Sequence, residues 1–150
     1  MGRKGDGMRE IIFRGKAIIE EEFYNVCEFW QRKIIKNGKW IQGDLIWNKG
    51  IPFIVKNVME VNDEYISLEW WMPVDPETIG QYTGLKDKNG KMIFEGDMVR
   101  WSVNGKVVVG EVFFASGWFD LRDGSGCIGW DPIRGLSEII GNIHEGEQTT

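Results

Sequence analysis

From Trp40 onward the chain alternates short apolar or aromatic runs with turn residues, a pattern that predicts strands. The runs are Trp40 to Trp47, Phe53 to Val61, Tyr65 to Trp71, Ile79 to Thr83, Met92 to Phe94, Met98 to Val103, Val107 to Phe114, Trp118 to Leu121, Cys127 to Trp130 and Ile139 to His144. Asn48-Lys49-Gly50 and Asn62-Asp63 separate the first three, and residues of these types suit the backbone of a tight turn. Ahead of them, Arg9 to Phe13 predicts a short strand and Gly15 a turn. One segment departs from this pattern. Ile19, Phe23, Val26, Cys27, Trp30 and Ile34 recur every three or four residues, the spacing of a helix with one buried face. Glu20, Glu21 and Glu22 suit its positive end, Arg32, Lys33 and Lys36 its negative end, and Asn37-Gly38 terminates it.

These elements predict a mainly β protein. An N-terminal β unit over 8–73 carries one inserted α-helix near 19–35, and Pro73 and Pro76 mark the passage to a small β-barrel over 79–145. Residues 1–7 and 146–150 are expected to be disordered, the first seven lacking an apolar anchor. Arg3-Lys4-Gly5-Asp6 also suits a purine-rich codon string like a bacterial ribosome-binding site, which would make Met8 the natural start; an expression scar or a real extension reads the same way.

Composition narrows the picture. A chain of 150 residues holds one core or two small units sharing one. No apolar run approaches the roughly 20 residues of a membrane span, and Met1 to Gly7 lack the apolar stretch of an export signal. A soluble cytoplasmic protein with no membrane partner is expected. The formal net charge of −5 opposes non-specific attraction to phosphates, so nucleic-acid binding requires a local basic patch. Cys27 and Cys127 stand far apart in the chain, and reduced thiols are favoured over a disulfide in a cytoplasm.

Two stretches resemble each other: NGKWIQGDLIW, from Asn37 to Trp47, and NGKMIFEGDMVRW, from Asn89 to Trp101. Each sets Asn-Gly-Lys before an apolar pair position, then Gly-Asp, two aliphatics and a tryptophan. A repeated unit would use Asn-Gly at a hairpin tip and Gly-Asp to turn into the next strand. Convergence on a common turn is the alternative, since Asn104-Gly105-Lys106 is a third such turn in a different setting.

The segment IGQYTGLKDKNGKMIFEGDMVRW, from Ile79 to Trp101, resembles the most characteristic stretch of the YopX family, small β-rich proteins encoded by phages and prophages. MREIIFRGK at Met8 and EIIGNIHE near the end are similar to that family's termini. The motif residues are Gly80, Gln81, Tyr82, Thr83, Gly84, Leu85, Asp87, Asn89, Gly90, Glu95, Gly96 and Asp97. The helical segment between Arg14-Gly15-Lys16 and Asn37-Gly38-Lys39 departs from shorter members, which pass quickly between these elements. The resemblance implies a phage or prophage accessory protein whose biochemical role is open. Read as residues alone, most of the motif is structural. Gly80 and Gly84 relieve crowding or permit unusual backbone angles around Tyr82, and Asp87 and Asp97 accept backbone hydrogen bonds in turns. Glu-Gly-Asp before an aliphatic strand is also how SH3-like barrels open a strand, and by that analogy the C-terminal barrel is SH3-like.

Catalytic chemistry is sparse. His144 is the lone histidine, and no nucleophile elbow, phosphate loop or His-x-x-x-His pair is present. Glu95 and Asp97 would share a face of a regular strand and could hold a cation or act as acid and base, but Gly96 between them implies a turn. Neither an enzyme nor a cofactor is expected, and no metal site.

Eight tryptophans are the unusual feature. Trp70 and Trp71 are adjacent, so on a strand they point to opposite faces and at least one leaves the core side. Trp70, Trp71 and Trp101 are therefore candidate interface aromatics, with a filled core as the alternative. The leading expectation is a non-catalytic, self-associating protein that binds a host or phage protein. The alternative is a nucleic-acid-binding module in which the C-terminal barrel presents Arg100, Lys91 and Lys106 to a single strand.

Overall fold

The computed structural model of the chain describes residues 9–18, 38–132 and 135–145. The helix expected near 19–35, and the ends expected to be disordered at 1–7 and 146–150, lie outside the described residues. What is described is mainly β, its strands antiparallel, in two compact units: 12–79, and 80–145 with 9–11.

The first unit contains β1 (Phe13–Lys16), β2 (Trp40–Asn48), β3 (Ile51–Val61) and β4 (Ile66–Pro73), followed by a 3-10 turn at Pro76–Thr78. The strands lie in the order β4-β3-β2-β1. Lys49 and Gly50, at φ 51° and 80°, form a two-residue turn between paired Asn48 and Ile51. Positive φ at both positions matches the twist of a hairpin, which is why the turn residues there are tolerant ones. Ala17, Ile41, Ile54 and Val74 make the buried centre, with Phe13, Leu45, Trp70 and Met72 packed around it.

Two expectations fail at the start of this unit. Arg9–Ile12 lie outside any strand, and β1 begins at Phe13. Gly15, read as a turn, sits inside β1 opposite Ile41. A Cβ on Gly15 would stand 2.9 Å from the Val74 Cβ, so this glycine provides room instead of a bend.

The second unit contains β5 (Gly80–Lys86), β6 (Met92–Phe94), β7 (Asp97–Val103), β8 (Lys106–Ala115), β9 (Trp118–Asp123), β10 (Gly126–Cys127) and β11 (Leu136–Asn142). β5 and β6 pair as a hairpin, and the others form a sheet in the order β10-β9-β8-β7-β11. Asn104-Gly105 and Ser116-Gly117 all take positive φ and close the β7–β8 and β8–β9 hairpins. Alternation along β7 sends Asp97, Val99 and Trp101 inward, and Val99 and Trp101 join Ile93, Val112, Leu121 and Trp130 in the core.

The strand expected over Cys127 to Trp130 shrinks to Gly126–Cys127. Gly129 turns the chain at φ 78°, and the Trp130 amide donates instead to Asp120 Oδ1 at 2.6 Å. Among the described residues β10 and β11 do not pair, so the sheet is open and the expected barrel closure is not seen. No helix of the described residues is long and apolar enough to cross a membrane.

Candidate functional site

The motif from Gly80 to Asp97 builds a hairpin whose polar side chains bond chiefly to its own main chain. At its start, a Cβ on Gly80 would stand 2.5 Å from the Glu95 carbonyl oxygen, so only glycine fits there. Across from it Gln81 and Glu95 hold each other: the Gln81 amide donates to Glu95 Oε1 at 2.9 Å, and the Glu95 amide to the Gln81 carbonyl at 3.0 Å. Tyr82 is buried against Phe94, ring centroids 5.7 Å apart. Burial, with Glu10 adding to it, raises the Tyr82 pKa.

The β5–β6 ladder slips between Tyr82 and Lys86, and the residues there repair it. Gly84 takes φ 87°. The Thr83 hydroxyl donates to the Ile93 carbonyl at 2.8 Å and accepts from the Leu85 amide at 3.2 Å. A side-chain hydroxyl thus stands in for the main-chain partners that a bulge removes. Leu85 packs on the core of the unit.

Asp87 organises the turn that follows. Its Oδ1 accepts from the amides of Asn89 and Lys91 at 2.8 and 2.9 Å, and its Oδ2 from the Ile139 amide at 3.1 Å. Asn89 and Gly90 are exposed at the tip, Gly90 at φ 80°. Burial pushes the Asp87 carboxyl up, but the amides of Ile139, Lys91 and Asn89 and the charge of Lys91 outweigh it, and its pKa lies below the ordinary value.

Glu95-Gly96-Asp97 opens β7. Gly96 takes φ 86°, its amide donates to the Val112 carbonyl at 2.9 Å, and its carbonyl accepts from the Ile143 amide at 2.9 Å. Asp97 is 2% exposed, and its Oδ2 accepts from the Phe94 amide at 2.8 Å. Both acids of the triplet therefore accept from backbone amides, and no cluster of three metal-binding side chains occurs among the described residues.

The three tryptophans separate. Trp101 is 7% exposed inside the second core, so it is not an interface aromatic but a core residue. Trp70 is half-buried against the core of the first unit. Trp71, on the opposite face, is 41% exposed and packs edge-on to Phe53 at 5.5 Å. It lines an apolar groove of about 290 Å³ with Ile46, Asn48, Phe53, Val55 and Leu68.

The basic residues expected to meet nucleic acid, Lys91, Arg100 and Lys106, are all exposed. Arg100 is hydrogen-bonded to Glu138, which Lys88 also reaches at 3.3 Å. Arg100, then Lys88, hold the Glu138 carboxyl below its ordinary pKa. Together they line a smaller recess of about 130 Å³.

Sequence reasoning missed the far half of the β3–β4 hairpin. Val58, Met59, Val61, Tyr65 and Ile66 are all exposed there. The available signal was the absence of any Lys or Arg between Lys56 and Lys86, which leaves this apolar surface without basic residues.

A family model described as YopX protein matches residues 12–148. The chain belongs to the YopX family. The match covers both units, including the hairpin of Gly80 to Phe94 that carried the resemblance. No curated protein and no solved structure matches this YopX-family chain.

Proposed function

We propose that this is a non-catalytic phage or prophage accessory protein that works in the bacterial cytoplasm by binding protein, its own copies included. The observation that carries the reading is the Trp71 groove: an aromatic-centred apolar hollow on the sheet face away from the core of the first unit. Large aromatics placed in such hollows are the usual anchors of protein–protein contacts. Within the same reading, the second unit is SH3-like with its sheet left open, a likeness supported by the turn at Glu95-Gly96-Asp97.

Light scattering with size-exclusion chromatography tests the self-association half. An oligomer is expected for the unmodified chain and a smaller species for Trp71→Glu; a monomer at every concentration rejects it. The alternative is a nucleic-acid-binding module presenting Lys91, Arg100 and Lys106, against which the pairing of Arg100 with Glu138 counts. Oligonucleotide titration that shows salt-sensitive binding would favour it.

A further inference from the structure

We propose that the acidic tip of the β3–β4 hairpin docks in the basic recess on the second unit of another copy of this chain. This rests on the self-association reading above and gives it a contact separate from the Trp71 groove.

Strand register builds the recess. Leu136, Ser102 and Val107 lie side by side across β11, β7 and β8, and Glu138 and Arg100 make the neighbouring row. Leu136 and Val107 are 68% and 61% exposed, and the short Ser102 side chain between them leaves a hollow of about 130 Å³. Arg100 and Lys88 rim it, both reaching Glu138. Two cations against one carboxylate leave the recess a net positive charge, and half of the Arg100 side chain stays open to solvent. An apolar centre with a charged rim is the anatomy of a protein interface.

Its occupant must be apolar and acidic together, and the far end of the β3–β4 hairpin is both. The β2–β3 ladder ends at Asp44 and Val55, whereas β3 and β4 stay paired out to Val61 and Ile66. A two-stranded ribbon is marginal in water by itself, and this one exposes Val58, Met59, Val61, Tyr65 and Ile66 by 50% to 67%. Glu60, Asp63 and Glu64 are exposed among them, with no Lys or Arg between Lys56 and Lys86.

The tip is also preorganised. Asn62 Oδ1 accepts from the amides of Glu64 and Tyr65 at 2.9 and 3.1 Å, and the Asn62 amide donates to the Tyr65 carbonyl at 3.1 Å. Asn62 therefore holds the turn without help from the acids, and among the described residues neither the Asp63 nor the Glu64 carboxylate has an ion pair. A turn fixed in advance loses little freedom on docking. Charge selects the surface that receives it: tip against tip sets like charges together, whereas tip against recess joins opposite ones. The five apolar side chains present on the order of 500 Å², and an equal area of partner brings the contact to about 1,000 Å², enough for a specific interface.

Carbodiimide cross-linking of a mixture of isotope-labelled and unlabelled chains tests the contact, because it joins a carboxylate to an amine only where the two meet. Asp63 or Glu64 should be linked to Lys88 in peptides that pair one label with the other. Charge reversal reads the same contact independently. The double variant Asp63→Lys, Glu64→Lys and the single variant Lys88→Glu should each give a smaller species in light scattering. An equal mixture of the two should associate again, since each recess then meets a tip of opposite charge. If a variant unfolds, the cross-links of the unmodified chain still decide. A monomeric unmodified chain overturns both this inference and the self-association reading. An oligomer that survives reversal of the tip, or tip-to-Lys88 links confined to one label, overturns the docking of tip in recess alone.

Discussion

Gly43-Asp44 in the first unit and Gly96-Asp97 in the second occupy matching places in two similar stretches of sequence, yet the two pairs do different work. Gly43 lies inside β2, where a Cβ would stand 2.2 Å from the Val55 carbonyl oxygen. Gly96 lies ahead of β7 in the left-handed region. Asp44 is exposed, whereas Asp97 is buried and accepts from the Phe94 amide. One glycine gives space to a neighbouring strand and the other gives the chain a conformation that a side chain disfavours. Likeness of sequence over eleven residues has not imposed likeness of role.

The contrast is sharpest at Gly43. Gly43→Ala places a methyl group against main chain, which cannot move aside as a flexible side chain does, and should cost about 3 kcal/mol in urea denaturation. Gly96→Val should cost about 2 kcal/mol by the same measurement, through backbone strain and crowding against the His144 ring at 3.2 Å. A Gly43→Ala protein of unchanged stability would dissolve the distinction between the two glycines.

The aspartates separate further. Asp97→Ala should cost about 1.5 kcal/mol, because it strands the buried Phe94 amide, while Asp44→Ala should stay within about 0.5 kcal/mol as an exposed substitution. Equal midpoints for the two variants would show that Asp97 is not structural. Its place would then be on a binding surface.

A smaller effect comes from Asp87, two residues ahead of the second stretch. Its folded-state pKa is depressed, so its contribution is fully present above the unfolded value of about 3.9 and is lost as pH falls through the lower folded value. The stability gap between the unmodified chain and Asp87→Ala should therefore be constant near neutrality and narrow in acid. Denaturation curves across that window check it, and a gap that widens in acid would contradict the assignment.

Much of the strand pattern was legible in the residues. Met92 to Phe94 was read with its observed bounds, and Asn48-Lys49-Gly50 and Asn104-Gly105 marked hairpins that are there. The misreadings share a cause. Gly15, Gly43 and Gly129 are the same letter, yet one makes room for Val74, one for the Val55 carbonyl, and one turns the chain at positive φ. Which of these a glycine does depends on a partner distant in sequence. The same holds for Trp71 and Trp101: both lie in aromatic strand patterns, and only the sheet around each decides that Trp101 is enclosed. The site motif was legible as structure, since Asp87 and Asp97 were read as acceptors of backbone hydrogen bonds. The Asp87 bond to Ile139 was not, because 52 residues separate its ends.

That bond bears on the order in which the second unit assembles. The Asp87 turn closes on Asn89 and Lys91 within a few residues, and β7, β8 and β9 follow one another through two-residue turns, so these contacts form at little entropic cost. β11 arrives from more than thirty residues beyond β7 and must meet both that strand and a carboxylate already in place. The carboxylate then acts as a latch whose catch is made early and whose bolt is thrown late. Loosening it should hasten escape from the folded state far more than it delays arrival there.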